Sequence, residues 1–211
     1  MRKILKAIAA FVIPKSFLLI KGNRKGKIAL TFDDGPHPEF TPKILEILKE
    51  REVKATFFLV GNAIEQHQAI ALRIIKDGHT VGIHSYTHWN FLKMGILEMK
   101  DELDKSGEVF RKFLGVEPRF FRPPQGRLTI QLLKHCASKR LVTVLWSLDS
   151  LDSNFKSKEA IVAQLKSKNS DCGEIVLFHD DNQFTLEALP AIIETFQKNG
   201  FKFVTVEEML K

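Results

Sequence analysis

Apolar and polar positions along this chain change rhythm in a regular order. Lys27 to Phe32 is a near-continuous apolar run of strand length, as are Ala55 to Val60 and Glu174 to His179. Between the first two, Ile44, Ile47 and Leu48 recur at helical spacing, with Thr41 suited to the N-cap and Pro42 to the first turn. A helix over 63–76 stops at Gly78, Thr80 to His84 makes a short strand, and 98–113 is amphipathic and ends at Gly115. Arg119 to Phe121 reads as a brief strand, Thr129 to Cys136 as a helix and Leu141 to Trp146 as β-rich. Ser157 can cap a helix over 158–166. Pro190 starts a helix through Ile192, Ile193 and Phe196 that ends before Gly200. Phe201 to Val204 is the last strand, and Thr205 with Glu208 forms a capping box for a terminal helix.

About seven strand-helix units in succession imply a parallel sheet. Strands as uniformly apolar as Ile175-Val176-Leu177-Phe178 fit a sheet covered on both faces. Seven units crowd an open sheet in a chain of 211 residues, so a closed α/β barrel is expected. With no linker or low-complexity break, residues 27–211 read as one domain, preceded by an apolar and basic segment over 1–26.

Composition narrows the function classes. An apolar share of 44% with 17 Phe supplies a single core. A formal charge of +7 favours an anionic partner, wall polymer or membrane surface. The basic residues form no single block and no nucleic-acid motif occurs, so DNA or RNA is not an expected partner. Cys136 and Cys172 stand far apart and suggest no disulfide framework, with Cys136 reading as a core residue. Met1-Arg2-Lys3 followed by the short run Ala7 to Ile13, broken by Pro14 and Lys15, falls short of the roughly 20 apolar residues a span needs. It also lacks a cleavage signature. An interfacial anchor and a segment packed on the domain both remain open.

The polar residues gather where the strands end. Asp33 and Asp34 follow the first main strand, His84 the third, Arg122 the fourth, Asp149 and Asp152 the fifth, and His179 the sixth. In a parallel barrel those ends share one face, where catalytic groups collect. His84 and His88 alone carry little weight, but together with Asp34 they offer a two-His, one-carboxylate metal site with open positions. Adjacent aspartates repel unless a cation offsets them. A cation on Asp34 leaves Asp33 ionised and able to take a proton from an attacking water.

Thr31 to Pro36, His84 to His88, Phe121 to Gly126, Asp149 to Asp152 and Leu177 to His179 resemble, in order, the five motifs of the polysaccharide deacetylase family. This family is also known as the NodB-homology family or carbohydrate esterase family 4. The resemblance spans about residues 27 to 210. It implies a distorted (β/α)7-type barrel, one divalent metal ion (zinc first, cobalt or nickel as alternatives), and hydrolysis of acetyl groups on sugars.

By the same resemblance Asp33 is the catalytic base, and Asp34, His84 and His88 are the metal ligands. Arg122 holds the base, His179 is the general acid and Asp152 tunes it. Leu177 walls the acetyl pocket, Pro124 and Gln125 bind substrate, and a backbone N–H near Gln125 faces the oxyanion.

Two positions depart from the family pattern. Gln125 stands where an aromatic is usual, and Ser153 where a Trp usually walls the pocket. Trp89, Phe155 or Trp146 are candidate replacements, with Trp146 reading as core. Among the remaining residues, His37 reads as a loop residue, and His67 and His79 as solvated. No metal role is expected of His135, Arg119 reads as packed against the sheet, and 166–168 as a charged helix end.

The expected activity is removal of N-acetyl groups from N-acetylglucosamine-containing glycans. The charge favours anionic peptidoglycan over chitin-like oligosaccharides, and a cell-envelope or peripheral membrane location over the cytoplasm. A small-molecule amide or cyclic-imide hydrolase on the same scaffold is the first alternative. A silent glycan-binding module is the second.

Overall fold

A computed structural model describes residues 13–23, 25–91, 93–166 and 173–211. Met1-Arg2-Lys3, nearly all of the Ala7–Ile13 run, Ser167-Lys168 and Cys172 lie outside the described residues.

The strands are β1 (Leu18–Leu19), β2 (Lys27–Asp33), β3 (Thr56–Leu59), β4 (Thr80–Ile83), β5 (Phe120–Phe121), β6 (Val142–Val144), β7 (Leu148–Asp149), β8 (Glu174–His179) and β9 (Lys202–Phe203). Their spatial order is β1-β6-β5-β4-β3-β2-β8-β7, with β9 beside β2, and every pairing is parallel. The sheet curls into a distorted (β/α)7 barrel, and its seam falls between the edge strands β1 and β7. Eight α-helices flank it among the described residues: α1 (Phe40–Glu50), α2 (Gly61–Gln66), α3 (Gln68–Lys76), α4 (Ile96–Val109), α5 (Ile130–Ser138), α6 (Lys158–Lys166), α7 (Gln183–Lys198) and α8 (Val206–Leu210). None of them is long and apolar enough to cross a membrane.

Side-chain alternation along β2 sorts residues between two cores. Ile28, Leu30 and Phe32 join the large cluster between sheet and helices, where Phe32 stacks on Phe57 and Phe178. Ala29 faces the barrel interior with Phe58, Phe120, Val144 and Ile175. Thr31 and Asp33 share the parity of Ala29, so the strand delivers a buried carboxylate to the inner, C-terminal end. Val206 and Met209 of α8 plug the opposite end. The plug needs Gly22, where an added Cβ would lie 2.2 Å from Met209 Sδ.

Several sequence expectations need correction. β1 and β7 were not foreseen, because each is defined by pairing with a strand far along the chain. β1 falls within the 1–26 segment, where Leu18, Leu19 and Ile20 are buried and Leu19 pairs with Val144. The helix expected over 63–76 is two helices, broken at His67 (φ −130°, ψ 43°). The helix expected over 98–113 begins at Ile96 and closes as a π-helical turn at Phe110–Leu114, stopped by left-handed Gly115.

Thr41 does not cap α1; its hydroxyl donates to Asp180, and His37 Nδ1 instead accepts from the amides of Glu39 and Phe40 at 3.2 Å. Pro190 lies inside α7, whose start is set by Asn182 Oδ1 accepting from Phe184 N at 2.8 Å. The Ser157 and Thr205 caps form as read, and Thr129, expected inside its helix, instead caps it by accepting from Leu132 N.

Candidate active site

The loops that leave the C-terminal ends of the strands carry most of the backbone strain. Seven non-glycine residues have positive φ among the described residues, and five of them are Asp34, Ser85, His88, Gln125 and Leu151 in these loops. Left-handed backbone is costly for ordinary residues and persists where surrounding contacts demand it. At Asp34 (φ 79°) it turns the carboxylate out of the parity of β2. Gly35 follows, with no room for a side chain: a Cβ there would meet the Asp180 carboxyl at 2.2 Å.

Asp34, His84 and His88 converge. Asp34 Oδ1 lies 3.4 Å from His84 Nε2 and 3.1 Å from His88 Nε2, and the three ligand atoms fall within 4.8 Å of one another. His84 is buried, and its Nδ1–H donates to the Arg122 carbonyl at 2.8 Å. A carbonyl can only accept, so that bond leaves Nε2 with a lone pair aimed at Asp34. Burial, with His88 and Arg122 nearby, holds the His84 imidazole down near pKa 3, in the neutral form a metal requires. Asp34 Oδ1 is buried without a hydrogen-bond partner, an unmet acceptor that a cation would satisfy. The donor set and this orphaned oxygen fit a divalent ion.

Asp33 sits behind this trio, 3% exposed, with Oδ2 at 3.7 Å from His84 Nε2. Its Oδ1 accepts from Arg122 Nη1 at 2.7 Å. Burial pushes the Asp33 carboxyl up, and the Arg122 charge and hydrogen bond pull against it. Arg122 is fully buried and every arm is engaged: Nη1 also bonds Thr31 Oγ1, Nε reaches Val144 O and Nη2 reaches Leu145 O. Its guanidinium lies 4.1 Å over the Phe58 ring and 5.8 Å from that of Trp146.

His179 ends β8. Its Nδ1–H donates to Asp152 Oδ1 at 2.8 Å, while its backbone N–H and Thr185 Oγ1 donate to Asp152 Oδ2 at 2.7 and 2.6 Å. Burial alone would lower His179; Asp152, then Asp33 and Asp34, push it up to about 10. Burial likewise opposes ionisation of Asp152, but its bonds from His179 and Thr185 hold the carboxyl low. The pair is therefore an imidazolium on a carboxylate, within electrostatic reach of both aspartates of the other half-site.

The remaining expected residues divide. Leu177 and Pro124 are buried beside the site, Leu177 with 5% exposure. Gln125 (φ 55°) and Ser153 are exposed, so neither replaces a missing aromatic wall. Of the three candidate replacements, Trp146 donates to Asp149 and packs toward Arg122, and Phe155 packs on the main core. Trp89, beside His88, is 59% exposed on the rim. His79, expected to be solvated, is buried: its Nδ1 accepts from Ala55 N, its ring meets Phe57 edge-on, and burial lowers it to about 4. His135 pairs with Asp104, and Arg119 with Glu207 and the Phe120 ring. Cys136 is in the core, with burial raising its thiol to about 11.

Three residues near the site had no assigned role in the sequence reading. Thr185 completes the Asp152 cradle. Glu102 accepts three hydrogen bonds from the loop that carries His88. Asp180 is fully buried behind Gly35, where burial pushes its carboxyl up to about 8. Only Asp180 had a local signal, its place directly after His179.

Comparison with known proteins gives consistent relatives. The polysaccharide deacetylase family pattern matches residues 21–143. Over 191 residues the chain is 38% identical to a peptidoglycan-N-acetylglucosamine deacetylase of Bacillus cereus, covering 89% of this chain and 69% of that one. A crystal structure of the Bc1960 peptidoglycan N-acetylglucosamine deacetylase superposes with a TM-score of 0.86 at 37% identity, covering 91% of this chain and 92% of the other. A Bacillus anthracis protein described as a CE4 family pseudoenzyme superposes equally well, TM-score 0.86 at 30% identity, covering 92% and 69% of the two chains.

Proposed function

The chain belongs to the polysaccharide deacetylase family, carbohydrate esterase family 4, and on that premise we propose that it hydrolyses N-acetyl groups of N-acetylglucosamine-containing glycans, peptidoglycan first, with one divalent cation. The observation that carries this reading is a carboxylate, Asp33, and an imidazole, His179, paired across β2 and β8, each held by its own partner, beside the Asp34, His84 and His88 trio. Those three residues would hold the ion, and their mixed N/O set accepts zinc, cobalt or nickel. When bound there, such an ion lowers the pKa of a water and polarises an acyl oxygen.

The chain's own residues do the rest. Arg122 fixes Oδ1 of Asp33, so Oδ2, on the His84 side, is the oxygen free to accept a proton from the attacking water. The backbone N–H at Gln125 donates to the developing oxyanion. His179, protonated and oriented by Asp152, gives its proton to the departing amine, because an amide nitrogen does not leave as an anion. Leu177 and Pro124 offer an apolar wall for the acetyl methyl. The +7 charge supports action at an anionic cell envelope.

The acid sets a pH limit. His179 is raised from 6.5 to about 10, so the imidazolium persists through neutrality and is lost as pH rises through about 10. The stability this contributes is complete below 6.5 and fades between 6.5 and about 10. Replacing Asp152 with Asn should bring the His179 midpoint back toward 6.5 and shift the alkaline limb of the rate profile the same way. NMR titration of the ring in the metal-free protein reads this directly; an unmoved midpoint would contradict the assignment of Asp152.

The decisive assay is acetate release from N-acetylglucosamine oligomers and peptidoglycan, with zinc or cobalt added and with a chelated control. Release that disappears on chelation and returns with metal supports the proposal. No release from either substrate, with metal demonstrably bound, would instead favour a small amide substrate or a silent binding module. The pseudoenzyme relative gives the second of these some footing. The intact Asp33–Arg122 and His179–Asp152 pairs weigh against it, since binding alone requires neither acid nor base.

A further inference from the structure

His88 is unlike the other two proposed ligands. Asp34 follows directly from β2 and His84 from β4, whereas His88 stands four residues beyond His84 on a loop with φ 69° at Ser85 and φ 56° at His88 itself. The loop is anchored at its start, where Ser85 is buried and Tyr86 packs on the main core, and opens toward solvent at its far end, where Trp89 is 59% exposed. The amides of Gly61 and Asn62 donate to the carbonyls of Ser85 and Tyr86, each at 3.0 Å, and the Tyr86 hydroxyl donates to Glu65; the amides of Tyr86 and Thr87 turn instead to a carboxylate on α4. Glu102 Oε2 accepts from Tyr86 N at 3.0 Å and Thr87 N at 2.8 Å, and Oε1 accepts from Thr87 Oγ1 at 3.0 Å. One turn further along the same helix, Lys105 Nζ sits 3.6 Å over the Tyr86 ring. Ser85 Oγ then accepts from His88 N at 2.9 Å, closing the loop from the other side.

We propose that Glu102 is the positioning residue that presents His88 to the cation, so that the metal affinity of this site is set in part from α4. The inference rests on the metal reading given above. Glu102 is not among the three proposed ligands; it acts by accepting from two consecutive amides, those of Tyr86 and Thr87, that otherwise lack partners within the loop's own hydrogen-bond pattern. Charged acceptors on backbone N–H groups are among the stronger hydrogen bonds. Groups that orient a metal ligand from behind typically govern affinity by about 10–100-fold.

The test is zinc affinity by competition with a chromophoric chelator, together with the visible absorption of the cobalt-loaded protein, which reports ligand geometry. Glu102→Ala should weaken zinc binding by about 10–100-fold and perturb the cobalt spectrum. Glu102→Gln should stay within about threefold of the parent, because its amide oxygen can accept both N–H groups while its NH₂ donates to the Thr87 hydroxyl. Where Glu102→Ala fails to fold, Thr87→Val decides: it removes one of the three bonds and should give a smaller loss in the same direction. Parent-like affinity in the folded Ala variant, or in Thr87→Val if Ala does not fold, would overturn the proposal. So would a Gln variant that falls as far as the Ala variant. A parent protein that binds no zinc would instead sink the metal reading itself, a separate outcome from a parent that binds zinc equally well with or without Glu102.

Discussion

Replacing Asp33 with Asn is expected to cut acetate release by about 10²–10⁴-fold, the usual worth of a positioned general base. Zinc affinity should change little, because the three proposed ligands are Asp34, His84 and His88. Asn keeps the shape of the side chain and an oxygen for Arg122 Nη1 at the same place. What it loses is the ability to take a proton at the second oxygen, 3.7 Å from His84 Nε2. The measurement is paired: initial rates on an N-acetylglucosamine oligomer, and metal titration of the same preparation. Retained turnover would remove Asp33 as the base. Lost turnover with lost metal would mean that the two aspartates divide their work differently.

Arg122→Met carries the largest expected effect on stability. The arginine is fully buried, and its removal leaves Asp33 buried without its counter-charge while the carbonyls of Val144 and Leu145 lose a donor. Breaking one partner of a buried ion pair typically costs about 3–5 kcal/mol, which is a large share of a domain's total stability. Asp33, already pushed up by burial, loses the charge and hydrogen bond that oppose that shift and should rise further. Urea unfolding of the parent and variant at neutral pH measures the cost. A difference below about 1 kcal/mol would show that the pair has the energetics of an exposed one.

The parts of this molecule that could be read from sequence are those whose information is local. β2 and β8 are seven and six residues long and buried almost throughout, so their apolar runs reveal both position and environment. The caps at Ser157 and Thr205 involve donors three residues away and are equally legible. β1 and β7 were invisible because each is defined by a partner far along the chain. Pro190 misled because a proline most often starts a helix, whereas here Asn182 and a long buried face carry the helix through it.

The candidate site divides along the same line. Asp33, Asp34, His84, His88, Arg122, Asp152 and His179 occur in short, ordered motifs. Their supports do not: Thr185 lies 33 residues from Asp152, and Glu102 lies 15 and 16 residues from the amides it holds. His79 shows the converse failure. A turn context suggested solvent, but His79 is buried against the Phe57 ring of β3 and the Ala55 amide just before that strand.

The short strand β1 has a bearing on where this chain can be cut. Phe17 O and Leu19 O accept from the amides of Thr143 and Leu145, at 2.9 and 2.8 Å, along the outer margin of β6. A chain trimmed to begin at residue 21, where the family pattern begins, would strip that margin bare. Unprotected strand margins recruit other chains. Because Leu145 O is also an acceptor for the Arg122 guanidinium, self-association and a loosened Arg122 would arrive together. The leading residues thus serve as a selvedge, a woven border that keeps the fabric of the barrel from fraying toward its own chemistry.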